Sequence, residues 1–498
     1  MGYSQMAIAH LEIEMMIRKS IYLLVSIILL GLLPISALGQ SMPHTFSANT
    51  AAKASEVNEN FTYLLERFGG IRETTVNCGT SGSGSGINSA IQNGYNSIVI
   101  NGICKENIKL DGSEENIPRL LKLRGANNDA SQDKIIDNSS YTEHVLTFSH
   151  AGGLLVTIDN LTISGGDRGI TTWMNVNLLI RNSKVEGYKN RGITLQGNSV
   201  MQGENLTIDG SYSGATTEEQ GLRMWGGAVA YIAENLTITN NQKYGLTMWL
   251  SDIWVNGNVT LTANGRAINV GRGATAYIDN ATITGSAEEG IKISNGGMLE
   301  ISNSTISSSS KQGIQANMGA TLDMNYVSIT NNQNDGVALW GAKAYIGNST
   351  ITGNTNAGIR LNNGFLSINN STISGSTNGG IESHQQSAIN LSGGVIIENN
   401  GHGIDLTNST LFQYDDEATS YIRNNTNNEI GATMSSIGLD KVTVGGTSGS
   451  TEINLSKGSI LRINTGTSIT GTIWCDGSLN TGKFIKDTIS LNPTTSGC

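Results

Sequence analysis

One asparagine recurs along the middle of the chain at intervals of 22 or 23 residues, apart from one interval of 30 and one of 45. The interval of 45 is two periods, with Tyr326 in the intermediate place. A fixed period in this range is typical of solenoid proteins. Strand-forming residues without a helical pattern at this period predict a parallel β-helix. The recurring residues are Asn160, Asn182, Asn205, Asn235, Asn258, Asn280, Asn303, Asn348 and Asn370.

Residues 278–301 show how one coil is built. Asn280 stands at a tight turn because asparagine tolerates left-handed backbone angles. Ile283, three residues later, points inward, and a third strand opens at Gly290. The pattern therefore predicts three short strands in each coil of 22–23 residues. Successive coils lie ~4.8 Å apart, so the asparagine amides can hydrogen-bond along the axis.

The N-terminus has the pattern of a secretory signal peptide. Arg18 and Lys19 precede the apolar run 21–33, and small residues at 37–39 offer a cleavage site. We therefore expect a secreted protein, extracellular, periplasmic or at the cell surface, with residues 1–39 as signal peptide and upstream residues. The net charge of −10 is spread along the chain without a basic stripe, which argues against nucleic acid as a partner.

The rest of the chain divides into three parts. Residues 40–75 are predicted to form an N-terminal helical segment and linker, because apolar residues within 51–68 fall at helical spacing. This short helix either caps the solenoid or pairs with copies of itself in a homo-oligomer. The Gly/Ser-rich segment 69–86 is expected to be a linker or cap loop. The β-helix spans 76–430, and 431–498 form terminal coils and a C-terminal cap.

The chain contains four cysteines, and an oxidising compartment favours their pairing. Cys78 and Cys104 flank the first coil, and Cys475 and Cys498 flank the last stretch. We therefore expect the pairs 78–104 and 475–498, each closing one end of the solenoid. Four free thiols are the alternative.

Two stretches resemble the right-handed parallel β-helix proteins of the pectate-lyase-like superfamily. One is the opening Ile87-Asn88-Ser89-Ala90-Ile91, and the other is the repeated Asn-x-Thr-Ile…Gly-Ile-x-Leu coil. The resemblance covers about residues 76–490 and implies an all-β, right-handed, single-stranded parallel β-helix. It also implies that a ligand lies along the sheet formed by the Gly-opened strands. The chain lacks the paired arginine motif of pectate lyases, so no catalytic residue is transferred from that family.

Tryptophan is concentrated in one predicted column of the Gly-opened strands. The residue four places after each opening glycine faces outward, because side chains alternate along a strand. Four of the six tryptophans occupy this place: Trp173, Trp225, Trp249 and Trp340. Flat indole faces along a groove are suited to stacking on sugar rings, which predicts binding of an extended polysaccharide. The alternative is that loops cover the indoles as packing.

One coil is longer than the others and inserts residues 209–220 just before the strand of Trp225. An insertion beside the aromatic column suits a binding loop, so Glu218 and Glu219 are candidate substrate-binding residues. A tolerated surface insertion is the alternative.

Charged residues form a second outward column on the same strands. Glu382 and Asp405 lie on adjacent coils, which suits an acid and a nucleophile at a glycosidic bond or a calcium site. A lyase would instead use Arg223 and Lys292 as candidate basic residues. Two further substrate-binding candidates, expected to be neighbours, are Arg360 and His384. The alternative for the acidic and the basic candidates alike is that they are ordinary solvated charges on the outer side of a β-sheet.

A third surface favours a different function. Outward threonines and serines flank the inward apolar residue of each Asn-turn strand, as Thr282 and Thr284 do, and form a regular array. This array is similar in form to the ice-binding faces of some β-helical antifreeze proteins. The sequence thus predicts a secreted β-helix that binds a polysaccharide, and it leaves open whether the protein also cleaves that polymer as a lyase or glycosidase. The alternatives are a non-catalytic adhesin or structural scaffold, and an ice-binding protein.

Overall fold

The computed structural model of the chain describes residues 70–111, 119–149, 153–212, 214, 217–413, 418–446, 451–464, 466–475, 483–486 and 494–496. The predicted signal peptide and the helix at 51–68 lie outside these residues. One helix, α1 (Ile87–Gln92), stands at the start of a stack of parallel strands. Of the helices in the described part of the chain, none is long and apolar enough to cross a membrane.

The strands form three faces that run along the stack. Face 1 contains the strands before the Asn turn: Glu73–Gly84, Ser97–Lys105, Leu120–Gly125, Leu154–Asp159, Val176–Glu186, Val200–Asp209, Val229–Ile232, Asp252–Val255, Thr275–Asp279, Met298–Ser302, Thr321–Asn325, Lys343–Gly347, Phe365–Asn369, Ala388–Ser392, Thr410–Gln413, Ser436–Leu439, Ile460–Ile463 and Lys483–Lys486.

Face 2 contains the strands after the turn: Lys134–Ile136, Thr162–Ser164, Leu236–Thr239, Val259–Thr262, Ala281–Thr284, Thr305–Ser307, Ser328–Thr330, Thr350–Thr352, Thr372–Ser374, Ile396–Glu398, Ser420–Arg423, Val442–Val444 and Ser468–Ile469. The long strands Ser97–Lys105, Val176–Glu186 and Val200–Asp209 pass through both faces 1 and 2.

Face 3 contains the Gly-opened strands: Ile108–Asp111, His144–Ser149, Arg168–Trp173, Arg191–Gln196, Gln220–Trp225, Tyr244–Trp249, Arg266–Gly271, Ile291–Ser294, Ile314–Asn317, Val337–Trp340, Ile359–Asn362, Gly379–His384, His402–Thr407, Asn428–Thr433, Thr451–Ser456, Thr472–Cys475 and Thr494–Ser496. Strands on each face pair in parallel with those of the neighbouring coils. The predicted all-β parallel β-helix with three short strands per coil is confirmed.

Vertical alignment of apolar residues builds the core. On face 2, Ile283 pairs in register with Leu261 of one neighbouring coil and Ile306 of the other, and each is at most 1% exposed. Burial of one such side chain contributes about 1.5–3 kcal/mol. A shift of one residue in any coil would turn its apolar residues outward, so the repeat fixes the register.

The recurring asparagines stand at the predicted turn. Asn280 has a φ of 56°, and Tyr326 takes the same left-handed conformation with a φ of 55°. On the outside, the Asn235 amide donates to Asn205 Oδ1 at 2.8 Å, and Asn258 donates to Asn235 at 3.1 Å. The expected amide ladder is thus present in these coils.

The opening glycine of face 3 is required by close packing between coils. A Cβ at Gly221 would stand 2.6 Å from the carbonyl oxygen of Gly245 and 2.6 Å from Ile238 Cγ2. A Cβ at Gly313 would similarly meet Gly336 and Ile329. Each glycine therefore lets the next coil approach, and the strand that follows it is held against the core.

The first coils differ in part from the expectation. Segment 69–86 is not a linker loop, because Glu73–Gly84 is a strand that pairs with Ser97–Lys105 through a register with two irregularities. These irregularities accommodate the extra residues of the Gly/Ser-rich sequence. The predicted disulfide between Cys78 and Cys104 is present and joins the two strands.

The C-terminal part continues the stack. The predicted strand 460–463 is present and pairs with Ser436–Leu439, and Val442–Val444 continues face 2. Cys475 is disulfide-bonded, whereas Cys498 lies outside the described residues. The described residues after 430 therefore add further coils to the stack.

Candidate functional site

The predicted tryptophan column exists on face 3. Trp225 and Trp249 pair in register on adjacent strands, and Trp173 lies two strands from Trp225, beyond the strand of Gln196. Trp340 lies further along the face, between Asn317 and Asn362. Trp173, Trp225 and Trp340 are 39%, 42% and 37% exposed, which leaves their rings accessible. The alternative of full burial under loops is excluded for these three indoles.

Two guanidinium groups lie against Trp249. Arg223 lies 5.1 Å and Arg272 5.5 Å from the ring centre, within the range of cation–π attraction. These contacts fix the indole, which is less exposed than its neighbour Trp225. The predicted role of Arg223 as a catalytic base stays a prediction, and its contact with Trp249 supports a place in a binding surface.

An arginine cluster that the sequence did not lead us to expect lies at the first coils of face 3. Arg168 and Arg191 pair in register, and Arg223 lies on the next strand in the neighbouring column. Burial lowers the pKa of Arg168 and Arg223, and burial with the repulsion of Arg168 and Arg223 lowers the pKa of Arg191 to about 10. His144 begins the column, and burial together with Arg168 lowers its pKa to about 4. A comparison of the residues that precede the opening glycines could have revealed Arg168 and Arg191 in the sequence.

Several polar atoms on face 3 are buried without a hydrogen-bond partner in the protein. Thr171 and Thr194 are 0% exposed although they point outward, and their hydroxyls have no partner. Other buried atoms on this face also lack a hydrogen-bond partner in the protein. They are the Nε atoms of Arg168, Arg191 and Arg223 and the side-chain oxygens of Gln196 and Gln220. Buried polar groups are normally satisfied, so this concentration indicates a surface prepared for polar ligand atoms or water.

The predicted insertion packs against a loop of an earlier coil. Tyr212 of the insertion stacks on Tyr141 with ring centres 4.2 Å apart, and Tyr141 belongs to the loop before His144. Glu218 is exposed and forms an ion pair with Lys243. Glu219 is 0% exposed and accepts a hydrogen bond from the Gln242 N–H at 3.1 Å.

Glu219 was expected to contact substrate, and the structure contradicts this because its carboxyl lies inside the coil. Burial raises the pKa of Glu219 to about 8, so the carboxyl is mainly protonated at neutral pH. The carboxyl lies next to Gly210 and the Gln242 N–H, which sequence spacing does not reveal. Glu219 is therefore a structural residue, whereas Glu218 remains accessible.

The predicted carboxylate pair lies further along face 3. Glu382 and Asp405 pair in register on adjacent strands, as expected. Arg360 lies 2.7 Å from Glu382 and 3.2 Å from the buried Asp335. Burial raises the pKa of Glu382 and Asp335, and the Arg360 charge opposes both shifts. The catalytic role of Glu382 and Asp405 stays a prediction.

The other charged candidates are spread along the face. Arg360 is paired with Asp335 and Glu382, and His384 lies beside Asn362 in the outer column. Lys292 and Arg223 stand in the same column, but two strands lie between them, those of Asn269 and Thr247. Arg223 and Lys292 are thus not brought together at one point.

The structure does not favour calcium at Glu382 and Asp405. The Arg360 guanidinium already faces Glu382, and calcium prefers six to eight oxygen ligands. The described residues contain no group of three or more His, Cys, Asp or Glu side chains placed to hold a metal ion. This donor set does not fit the ion.

The threonine array is also present. Thr260, Thr282 and Thr305 pair in register on face 2, as do Thr262, Thr284 and Ser307. The hydroxyls of Thr239 and Thr262 hydrogen-bond to each other at 3.0 Å. The two columns therefore form aligned rows of hydroxyl groups.

Comparison with known proteins agrees with this geometry. Residues 248–427 match the family model described as right handed beta helix region. The protein is a right-handed parallel β-helix. The match confirms the fold that the resemblance to the pectate-lyase-like superfamily implies. Among curated proteins, none matches the sequence.

Several solved structures are similar to this β-helix. The periplasmic alginate epimerase AlgG is 13% identical, with 73% of this chain and 87% of that chain covered and a TM-score of 0.41. The A-module of the Azotobacter vinelandii mannuronan C-5 epimerase AlgE4 is 15% identical, with 70% and 100% covered and a TM-score of 0.39. A tailspike protein of an Escherichia coli O157:H7 bacteriophage is 13% identical, with 65% and 43% covered and a TM-score of 0.38. Similarities of this size say nothing about the ligand of this chain.

Proposed function

We propose that the protein is secreted and binds an extended polysaccharide along face 3, with Trp173, Trp225, Trp249 and Trp340 as stacking platforms. The observation that supports this proposal most directly is the register of Trp225 with Trp249. Strands of neighbouring coils lie ~4.8 Å apart, so an extended polymer can meet several rings in succession.

The polar atoms of the same face support a sugar ligand. Polysaccharides present hydroxyl groups around each ring, and these groups need hydrogen-bond partners when the ring stacks on an indole. Face 3 offers Gln196, Asn317 and Asn362 beside the tryptophans, and each has a buried side-chain oxygen without a partner in the protein. Apolar platforms and unpaired acceptors thus alternate in one column.

The test compares two aromatic sites in the same protein. The double variant Trp225→Ala/Trp249→Ala should lose retention in affinity gels that contain polysaccharide. Trp254→Ala is the matched control, because Trp254 lies on face 1 between Tyr231 and Tyr277, with ring centres 5.2 and 5.5 Å away. Unchanged retention of the double variant, or equal loss in both variants, would contradict the proposal.

Cleavage is tested in the same preparations. A lyase should produce an unsaturated product that absorbs ultraviolet light, and a hydrolase should raise reducing ends without that absorbance. If polymer is retained and neither product appears, the protein is a non-catalytic binder. If no polysaccharide is retained, the adhesin or scaffold alternative is favoured.

The alignment of hydroxyl columns on face 2 favours a second candidate function, binding to ice. Thr260, Thr282 and Thr305 stand in consecutive coils, so their methyl and hydroxyl groups repeat regularly along the axis. Growth of single ice crystals in the presence of the protein tests this candidate. Thr282→Lys should restore ordinary disc-shaped crystals if face 2 binds ice, and unshaped crystals with the wild type would exclude it.

A further inference from the structure

The first coils of face 3 contain three arginines with little opposing charge. Arg168 and Arg191 lie side by side on neighbouring strands, and Arg223 lies on the next. Neighbouring strands are ~4.8 Å apart, so the guanidinium groups are close enough to repel one another. Asp167 lies 3.5 Å from Arg168 and also 3.8 Å from His144. Within the described residues, neither Arg191 nor Arg223 forms an ion pair, and the negative charges of Asp167 and Glu218 act on Arg191 without such a contact.

The protein holds these charges in a partly buried place. The Arg168 side chain is 19% exposed, and the Nε atoms of all three arginines are buried without hydrogen-bond partners. Keeping like charges together away from water is unfavourable unless an opposite charge joins them. Burial and repulsion between the groups lower the pKa of Arg191 to about 10, which agrees with incomplete compensation.

The surroundings form a shaped site. Thr171 and Thr194 are fully buried, with hydroxyls that lack partners, and they stand in register in the column next to Arg168 and Arg191. The stacked rings of Tyr141 and Tyr212 lie in the loops that precede the strands of His144 and Arg223. Trp173 and Trp225 lie in the outer column of the strands of Arg168 and Arg223, and Trp249 lies on the next strand.

We infer that this cluster binds acidic sugar units, so that the polysaccharide on face 3 bears carboxylate or sulfate groups. This inference rests on the proposed function and names the class of its ligand. A guanidinium offers a planar fork of donors that matches the two oxygens of a carboxylate or sulfate. The threonine hydroxyls add donors, and the tryptophans hold the sugar ring. Because the whole chain has a net charge of −10, the attraction is local to this end of the face.

The test uses four polymers and the full mature chain. Polygalacturonate and its carboxyl-reduced neutral form differ in the carboxylate alone, and dextran sulfate and dextran differ in the sulfate ester. Affinities are measured at about 20 and about 500 mM NaCl, because added salt screens charge attraction. We expect the wild type to bind at least one acidic polymer about tenfold more tightly than its neutral counterpart at low salt.

The variants separate charge from folding. Arg191→Gln should reduce the preference for the acidic polymer about tenfold, and Arg191→Lys should keep part of it. Lys343→Gln removes an exposed positive charge on face 1 and should change nothing. Thermal melts of each variant establish that the fold persists, and the salt dependence of the wild type provides a second measure that needs no variant.

Each outcome decides the inference. Preference for polygalacturonate alone assigns carboxylates, and preference for dextran sulfate alone assigns sulfate esters. Equal binding of acidic and neutral polymers, or an acidic preference that Arg191→Gln leaves unchanged, overturns the inference. If in that case Trp225→Ala/Trp249→Ala still abolishes binding, the proposed function stands without it. If the wild type binds no polymer, both fail.

Discussion

Arg191 and Arg266 open strands of face 3 in the same column and have opposite surroundings. Arg191 lies beside Arg168 and forms no ion pair in the described part of the chain. Arg266 stands in the same column three strands later and contacts Glu289 at 2.5 Å and Glu288 at 2.6 Å. Arg360 is likewise neutralised by Asp335 and Glu382.

The difference separates structural charge from charge that is open to a ligand. A buried charge with a hydrogen-bonded partner belongs to the fold, because removal of either member leaves the other uncompensated. A partly buried charge without an ion pair, and with like charges beside it, weakens the fold and gains from an external anion. The β-helix has the same backbone in both regions, so the contrast comes from the neighbouring side chains alone.

The largest effect is expected from breaking the neutralised pair. Arg266→Met should lower the free energy of unfolding by about 3–5 kcal/mol, because Glu289 is buried and would lose its partner. Urea denaturation followed by circular dichroism measures the change. The double variant Arg266→Met/Glu289→Met should recover most of it, and a single variant as stable as the wild type would contradict the assignment of structural charge.

A pH-dependent effect is expected at the insertion. Burial raises the pKa of Glu219 to about 8 from an ordinary 4.5, so the folded protein binds one more proton than the unfolded chain between these values. Stability from this group is present below pH 4.5 and is lost as the pH rises toward 8. The difference is on the order of 1.4 kcal/mol for each pKa unit.

The Glu219→Gln variant should therefore lose less stability than the wild type between pH 5 and pH 9. Melting temperatures across this range provide the measurement. Glu218→Gln is the neighbouring control, because the Glu218 side chain is 63% exposed. Parallel curves for Glu219→Gln and the wild type would show that the carboxyl is not held protonated.

A smaller pH effect is expected at the arginine end. Burial and Arg168 lower the pKa of His144 to about 4 from an ordinary 6.5, so the unfolded chain binds the extra proton between these values. Stability from His144 is present above pH 6.5 and is lost as the pH falls toward 4. His144→Gln should make the melting temperature less dependent on pH in this range. The prediction fails if the variant and the wild type lose stability equally.

The smallest effect is expected for Arg191 without ligand. Arg191→Met should leave stability within about 1 kcal/mol of the wild type, or raise it at low salt, because it removes repulsion with Arg168. The difference should shrink as NaCl increases. Chemical denaturation at two salt concentrations measures it. If Arg191→Met lowers the free energy of unfolding as much as Arg266→Met does, Arg191 is a structural charge like Arg266, and the comparison fails.

Much of the fold could be predicted from the repeat. Asn280 and the inward Ile283 define the coil, and the same spacing predicts Trp225 beside Trp249, as the structure has them. The prediction failed at segment 69–86, where a glycine-rich sequence forms a strand because Ser97–Lys105 pairs with it. It also failed at Glu219, because burial of its carboxyl depends on the course of the inserted loop.

The amino-acid sequence by itself determined the period, the inward and outward alternation and the columns of side chains, because a parallel coil places residues one period apart above each other. The tertiary structure alone decided which polar side chains are buried and which charges meet a partner. Arg191 and Arg266 both precede or open a strand of face 3, and nothing in the local sequence of Arg191 distinguishes a free guanidinium from a neutralised one. Desolvation and ion pairing depend on distances across coils and loops, and these exist only after the chain has folded.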